Sequence, residues 1–375
     1  MTNLRVDTIR SRDGNNGPIF EGNLSFSSTA HIVLPKGTTA ERPVGVSTGS
    51  MRYNTDTSVV EYYNGTTWVE TIGYDSSIRG VFGGGDAGPT ASNTIDYITI
   101  GLTSNATDFG DLTVARRELA ACSSSTRGVW GGSYGPTETN IIDYVTIAST
   151  GNATDFGDLT FARGRISACS NSTRGVFGGG FSPTGGSPTP FIYPNIIDYV
   201  TLATTGNATD FGDLTVGRGY PGACASSTRG VFAGTYNPGY VNVIDYITIA
   251  TTGNAIDFGD LTVARQQIAG CSNSTRGVFG GGLSPATPAG NIIDYITIAS
   301  IGNATDFGDL TVARSGLAAC SSNTRGVFGG GSAPATNNTI DYITIATTGN
   351  ATDFGDLSVT RSRLAACSNG HGGLS

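Results

Sequence analysis

Arg79-Gly-Val-Phe-Gly-Gly-Gly85 returns, lightly edited, five more times, with copies beginning at Arg127, Arg174, Arg229, Arg276 and Arg325. The spacings are 48, 47, 55, 47 and 49 residues. Self-similarity at a period of this size marks a repeat architecture, in which each unit buries its apolar surface against its neighbours. Four extended pieces are readable in every unit. In the second they are Gly128-Val-Trp-Gly-Gly132, Ile141-Ile-Asp-Tyr-Val-Thr-Ile147, Asp155-Phe-Gly-Asp-Leu-Thr160 and, after Arg163, the small-residue run Ile166-Ser-Ala-Cys-Ser170.

Four short strands per unit is the proportion of a β-propeller blade, an arrangement that leaves few exposed sheet edges. The ends of the array set the blade count. No small-residue strand precedes Arg79, whereas the last unit runs on through Leu364-Ala-Ala-Cys-Ser368 without another Gly-Val-Phe. The expectation is an all-β chain: a six-bladed β-propeller over residues 75–375, with four-stranded blades, closed by the C-terminal strand around Cys367. The unit pattern resembles kelch-type repeats in Gly131-Gly132, Tyr144, Phe156 and Arg163, with Phe where kelch units usually carry Trp. That resemblance implies a divergent kelch-like subgroup.

Composition agrees with a β chain. There are 56 glycines, charged residues make up 13%, and Lys36 is the only lysine. No stretch longer than one turn carries apolar residues at helical spacing. The net charge is −8, and residues 75–375 hold 15 Arg against 22 Asp plus Glu, a balance that argues against nucleic-acid binding. No apolar run is long enough to span a bilayer, and the polar start lacks a signal-peptide core, so a soluble chain made in a cytoplasm is expected.

Several repeated motifs read as scaffold. One cysteine falls at the same phase of each unit, Cys122, Cys169, Cys224, Cys271, Cys320 and Cys367, as expected of small buried thiols. Without paired Cys-x-x-Cys spacing or nearby His, neither a zinc site nor any other metal or cofactor is expected. Asp-Phe-Gly recurs without the other kinase elements. Pairs such as Asp108 and Asp111 suit turn-capping better than calcium, and the Asn-Ala-Thr sequons at Asn105, Asn152, Asn207, Asn303 and Asn350 suit turn-shaping better than glycosylation. The Asp of each Ile-Asp-Tyr and the Arg before each Gly-Val-Phe are candidates for one hydrogen-bonded pair per blade.

Residues 1–74 stand outside the repeat. Asn3-Leu-Arg-Val-Asp-Thr-Ile9 alternates as a half-buried strand does, and His31-Ile-Val-Leu-Pro35 is a second apolar piece. Residues 49–57 and 58–63 then form a hairpin-like unit turning at Asn54 to Thr57. Asn64-Gly65 signals a tight turn, and Thr66-Thr-Trp-Val-Glu70 completes a three-stranded meander. So little chain is poorly able to make a stable core alone. The stretches 3–14, 34–43 (LPKGTTAERP) and 49–68 (GSMRYNTDTSVVEYYNGTTW) resemble the N-terminal and shaft-proximal parts of tailed-phage fibres and other virion appendages, marine cyanophage ones above all. The resemblance implies virion localisation, attachment to other virion proteins through residues 1–74, and homo-oligomerisation, with a trimer favoured.

Catalysis has no support. The two histidines, His31 and His371, lie outside the repeated strands, and no serine, cysteine or carboxylate departs from the pattern of its repeat. The asymmetry sits in the loops after Gly-Gly, at 86–94, 133–140, 181–195, 235–243, 283–291 and 332–339. Tyr134, Phe181, Phe191, Tyr193, Tyr236 and Tyr240 place aromatic rings there, suited to stacking on sugars. The expected function is a non-enzymatic binding head for a host surface glycan or receptor on a tail fibre or other appendage. The alternative is a decoration or adaptor on capsid, neck or baseplate whose loops pack on other virion proteins. A glycan-cleaving enzyme is a third class, resting on fold analogy alone.

Overall fold

The computed structural model describes residues 33–374 except 57–58, 71–73, 135–137, 184–190, 238 and 288. The expected strand at Asn3–Ile9 lies outside the described residues. The chain divides into two compact units, Met1–Thr71 and Ile72–Ser375, three residues before the boundary expected at 74.

In the first unit Met51–Asn54, Val59–Tyr63 and Trp68–Glu70 form the antiparallel meander. A further short strand, Lys36–Gly37, pairs in parallel with Met51–Asn54. The sheet is unusual in its sidedness. Arg52, Asn54 and Glu61 are buried on one face, where Arg42 closes on Glu61 at 2.7 Å and Asn54 Nδ2 donates to it at 3.2 Å. Met51, Tyr53 and Tyr62 are exposed, and the register places Met51 opposite Tyr62.

Among the described residues the second unit contains six four-stranded antiparallel sheets. The sheet of the second repeat runs Ala120–Ser123, Arg127–Ser133, Thr139–Thr146, Thr154–Asp158, in chain order. The second strand of each sheet is buried on both faces, with Val129 and the adjacent Trp130 each 0% exposed, and only the strands further out carry exposed positions. One sheet is assembled from both ends of the unit: its first strand is Ala365–Ser368, which pairs with Arg79–Gly83 so that Cys367 lies opposite Val81. The first strands also touch one another from sheet to sheet. Ala120–Ser123 meets both Ser167–Ser170 and Ala365–Ser368, so the order of contacts returns to its start.

Three repeated devices hold neighbouring sheets together. The cysteines are all unpaired and buried, and each sulfur packs on a second-strand glycine of an adjacent sheet. A Cβ at Gly128, for example, would stand 2.9 Å from Cys367 Sγ, too close for any other residue without movement. Each Asn-Ala turn latches onto the outermost strand before it: Asn152 Oδ1 accepts from Asp111 N at 3.1 Å, and Asn105 accepts from Asp356 N at 3.1 Å. The first sequon, at Asn105, therefore joins the first repeat to the last.

The third device corrects the expected ion pair. Asp143 does not pair with Arg127. Its carboxylate takes Arg116 at 2.6 Å and the Thr113 hydroxyl at 2.7 Å. The same pattern recurs in Arg361 with Asp96 and Arg265 with Asp294, at 2.6 and 2.7 Å. Register is the reason. Asp143 lies opposite Trp130, whereas Arg127 lies opposite Thr146, three residues along the strand and so on the other face of the sheet. Arg127 instead stacks over Tyr144 at 4.8 Å and donates to Leu202 O at 3.0 Å, in the neighbouring sheet.

Candidate functional site

The segments leading into the six first strands lie on the same side as the variable loops. Arg117 bridges to Tyr134, Gly164 to Phe181 and Gly219 to Tyr236 through extended backbone. One residue further on stands a set of equivalent positions: Glu118, Arg165, Tyr220, Gln267, Gly316 and Arg363. All adopt left-handed backbone, with φ between 55° and 63°. Their main chains hydrogen-bond in a closed ring. Each N–H donates to the carbonyl of the equivalent residue one sheet back, from Arg165 N on Glu118 O at 2.7 Å round to Glu118 N on Arg363 O at 2.9 Å. Left-handed backbone aims every N–H at its neighbour, and the ring satisfies groups that the crowded strand starts would otherwise bury unpaired.

A cavity of about 110 Å³ opens among these residues and the first strands. Its rim is polar and uneven. Glu118 is buried and accepts from Arg165 Nε at 2.8 Å and from the Tyr220 hydroxyl at 2.8 Å, with Arg363 Nε at 3.4 Å. Burial, followed by the Glu118 charge, pushes the Tyr220 phenol well above its ordinary range, so it stays a donor. Asp86 takes Arg117 at 2.9 Å and Arg363 at 3.2 Å. The guanidinium of Arg165 lies over three rings, Tyr134 at 4.3 Å, Phe181 at 4.1 Å and Tyr220 at 4.7 Å.

Beside this rim the structure gathers five of the six aromatic residues singled out in the loops. Tyr134 meets Phe181 at 5.4 Å, Phe181 meets Tyr193 at 5.5 Å, Tyr193 meets Tyr236 at 5.8 Å, and Tyr236 meets Tyr240 at 5.9 Å. They form a continuous edge-to-face row across loops of three sheets. Tyr134, Tyr193, Tyr236 and Tyr240 are half-buried, each keeping part of its ring accessible. Phe181 departs from expectation: it is 2% exposed, gripped between Tyr134 and Tyr193 under Arg165, so it supports the row and offers no face to a ligand. The backbone of Phe191 pairs in a short ribbon with Pro183, but its side chain is outside the described residues.

None of the six rim positions is among the residues expected from the sequence, because they sit inside a strongly repeated segment, and Glu118 is a carboxylate that does depart from the pattern of its repeat. The sequence does carry a signal: the two residues after the Arg that precedes each small-residue strand read Arg-Glu, Gly-Arg, Gly-Tyr, Gln-Gln, Ser-Gly and Ser-Arg, while that Arg itself never changes.

At the other end of the first strands, the tail Asn369 to Leu374 folds back. His371 Nε2 lies 3.2 Å from Ser123 O and 3.3 Å from Ser170 Oγ. Burial holds the imidazole down at about 4, so it is neutral near pH 7. The serine hydroxyls of this layer donate from sheet to sheet, as Ser170 does to Ser123 O at 2.8 Å, and the succession breaks where the repeat has Ala225. Gly373 passes close to Ser170 O, at the break, where no larger residue would fit. The cysteine layer lies just inside, and burial pushes Cys169, Cys271 and Cys367 up to about 12, leaving them unreactive thiols.

Among the described residues no group of three or more His, Cys, Asp or Glu gathers to hold a metal ion, and no helix is long and apolar enough to cross a membrane. No protein-family model matches the chain, and no curated protein matches it significantly.

Proposed function

We propose that residues 72–375 form a six-bladed, kelch-like β-propeller that serves a virion appendage as a non-enzymatic binding head for a host surface glycan. The observation that carries this reading is the tyrosine row. Four half-buried rings from loops of unequal length and sequence converge on one side of a scaffold whose sheets are otherwise near copies. Loops that merely drifted would have no reason to converge. Aromatic rings held edge to face are rigid platforms for the apolar faces of sugars and lose little entropy on binding. The cyclic order of first-strand contacts, with Ala365–Ser368 heading the sheet of Arg79–Gly83, supports the propeller topology.

The first unit, in this reading, attaches the head and oligomerises it, with other virion proteins and further copies of the chain as partners and a trimer favoured. The exposed Met51, Tyr53 and Tyr62, on the sheet that buries Arg52, Asn54 and Glu61, support a contact surface of that kind.

The test is binding of the purified chain to a panel of bacterial surface polysaccharides. Tyr236→Ala and Tyr240→Ala are expected to weaken a detected interaction tenfold or more with little change in melting temperature. An absence of binding across the panel, with particles failing to assemble when the protein is removed, would favour the adaptor reading instead. Release of sugar fragments would overturn both.

A further inference from the structure

We infer that the rim cavity is a second subsite, built to take the carboxylate-bearing terminal residue of an acidic glycan whose remaining sugars lie along the tyrosine row. This rests on the glycan-binding reading and deepens it.

The first argument is charge. Across the rim the guanidiniums of Arg117, Arg165 and Arg363 face the carboxylates of Asp86 and Glu118, three against two. One positive charge is left over, on a chain whose net charge is −8. Arg363 is the group that carries it. Its side chain is 39% exposed, it reaches Asp86 only at 3.2 Å and Glu118 only at 3.4 Å, and both acids have a closer arginine. Arg165 spends Nε on Glu118, and among the described residues its two terminal nitrogens make no hydrogen bond. A guanidinium with unspent donors beside a small cavity matches a planar carboxylate.

The second argument is space. Five of the six ring positions carry side chains on the same left-handed backbone, so Gly316, at φ 63°, is not demanded by conformation. What glycine supplies there is room. A Cβ at Gly316 would already lie 3.3 Å from Arg363 Cγ and 3.5 Å from Gln267 Oε1. A longer side chain would enter the cavity alongside the arginine proposed to hold the ligand. The repeat is therefore emptied beside its surplus charge.

The third is continuity. Arg165 belongs to the rim and is also stacked on Tyr134 and Phe181, the first members of the aromatic row. One ligand can lie on the row and turn its end into the cavity.

The experiment is isothermal titration of the full chain with oligogalacturonate, oligoglucuronate and oligosialate, each beside its carboxyl-reduced counterpart. At least one acidic form should bind, at least tenfold tighter than its reduced form. Gly316→Gln, which places at this position the residue already present at 267, and Arg363→Gln should each weaken it tenfold or more, with melting temperatures close to wild type. Equal binding of acidic and reduced forms, or undiminished binding by both variants, would overturn the subsite. Neutral glycans bound through Tyr240 but indifferent to Gly316→Gln would sink the subsite while leaving the binding head standing. Failure of every neutral and acidic glycan would remove both.

Discussion

Leu364→Ala tests whether the C-terminal strand is a full member of the sheet it heads. Leu364 is 5% exposed and packs with Phe82, Ile340 and Leu357. Leu317, its equivalent, is also 5% exposed and packs with Phe328, Ile293 and Leu310. The surroundings match closely: a Cβ on Gly330 would stand 2.9 Å from Leu364 Cδ2, and one on Gly281 would stand 2.8 Å from Leu317 Cδ2. Truncating a buried leucine removes its transfer free energy and leaves a cavity, together about 2–5 kcal/mol. The two substitutions should thus cost the same within about 1 kcal/mol, measured by urea denaturation. The strand of Leu317 is joined to its partner by a short turn, whereas that of Leu364 meets Arg79–Gly83 from the far end of the unit. Equal costs would mean that the closed order of sheets, and not chain connectivity, holds the last strand in place. Hydrogen exchange gives a second readout, since amides of Arg79–Gly83 should lose protection in Leu364→Ala and keep it in Leu317→Ala. A Leu364→Ala cost below about 0.5 kcal/mol beside a full cost at Leu317 would refute the reasoning.

Two further outcomes follow from buried polar groups. His371 is held down at about 4 by burial, below its ordinary value of about 6.5, so between those values the unfolded chain binds the extra proton and stability falls with falling pH. The shift corresponds to at most about 3 kcal/mol, reduced by solvent screening because His371 is only half-buried. Stability measured at pH 7 and pH 4.5 should drop less in His371→Gln than in wild type, and identical drops would exclude this role for the tail. Arg265 donates to Gly281 O, Ile292 O and Phe279 O as well as to Asp294. Arg265→Met should cost about 3–5 kcal/mol by stranding a buried carboxylate. Arg276→Met, which loses a stack on Tyr295 and one bond to Ile345 O, should cost about 1–2 kcal/mol. Equal losses would contradict the pairing described for the buried aspartates.

Much of the fold was legible because it is written in short-range patterns. The alternation in Ile141 to Ile147 gives a strand, the glycines of Gly131-Gly132 end one, and the period of the array repeats both. Even the pairing of the C-terminal strand with the strand at Arg79 follows from a deficit at one end of the array and a surplus at the other. The arginine partners of the aspartates did not follow. Two arginines per repeat stand at comparable distances along the chain, and only the register, which sets Asp143 opposite Trp130, chooses between them.

The sequence by itself determined six units, their strands, their buried thiols and the inequality of their loops, since each of these depends on residues close together in the chain. Only the tertiary structure decided what the unequal residues face. Tyr134 and Tyr240 are more than a hundred positions apart, and Glu118 and Arg363 more than two hundred, yet each pair belongs to one continuous set of contacts. The physical reason is that the order of sheets returns to its start. That closure turns a position recurring once per repeat into neighbours around a common rim, where differences scattered through the sequence become one asymmetric surface.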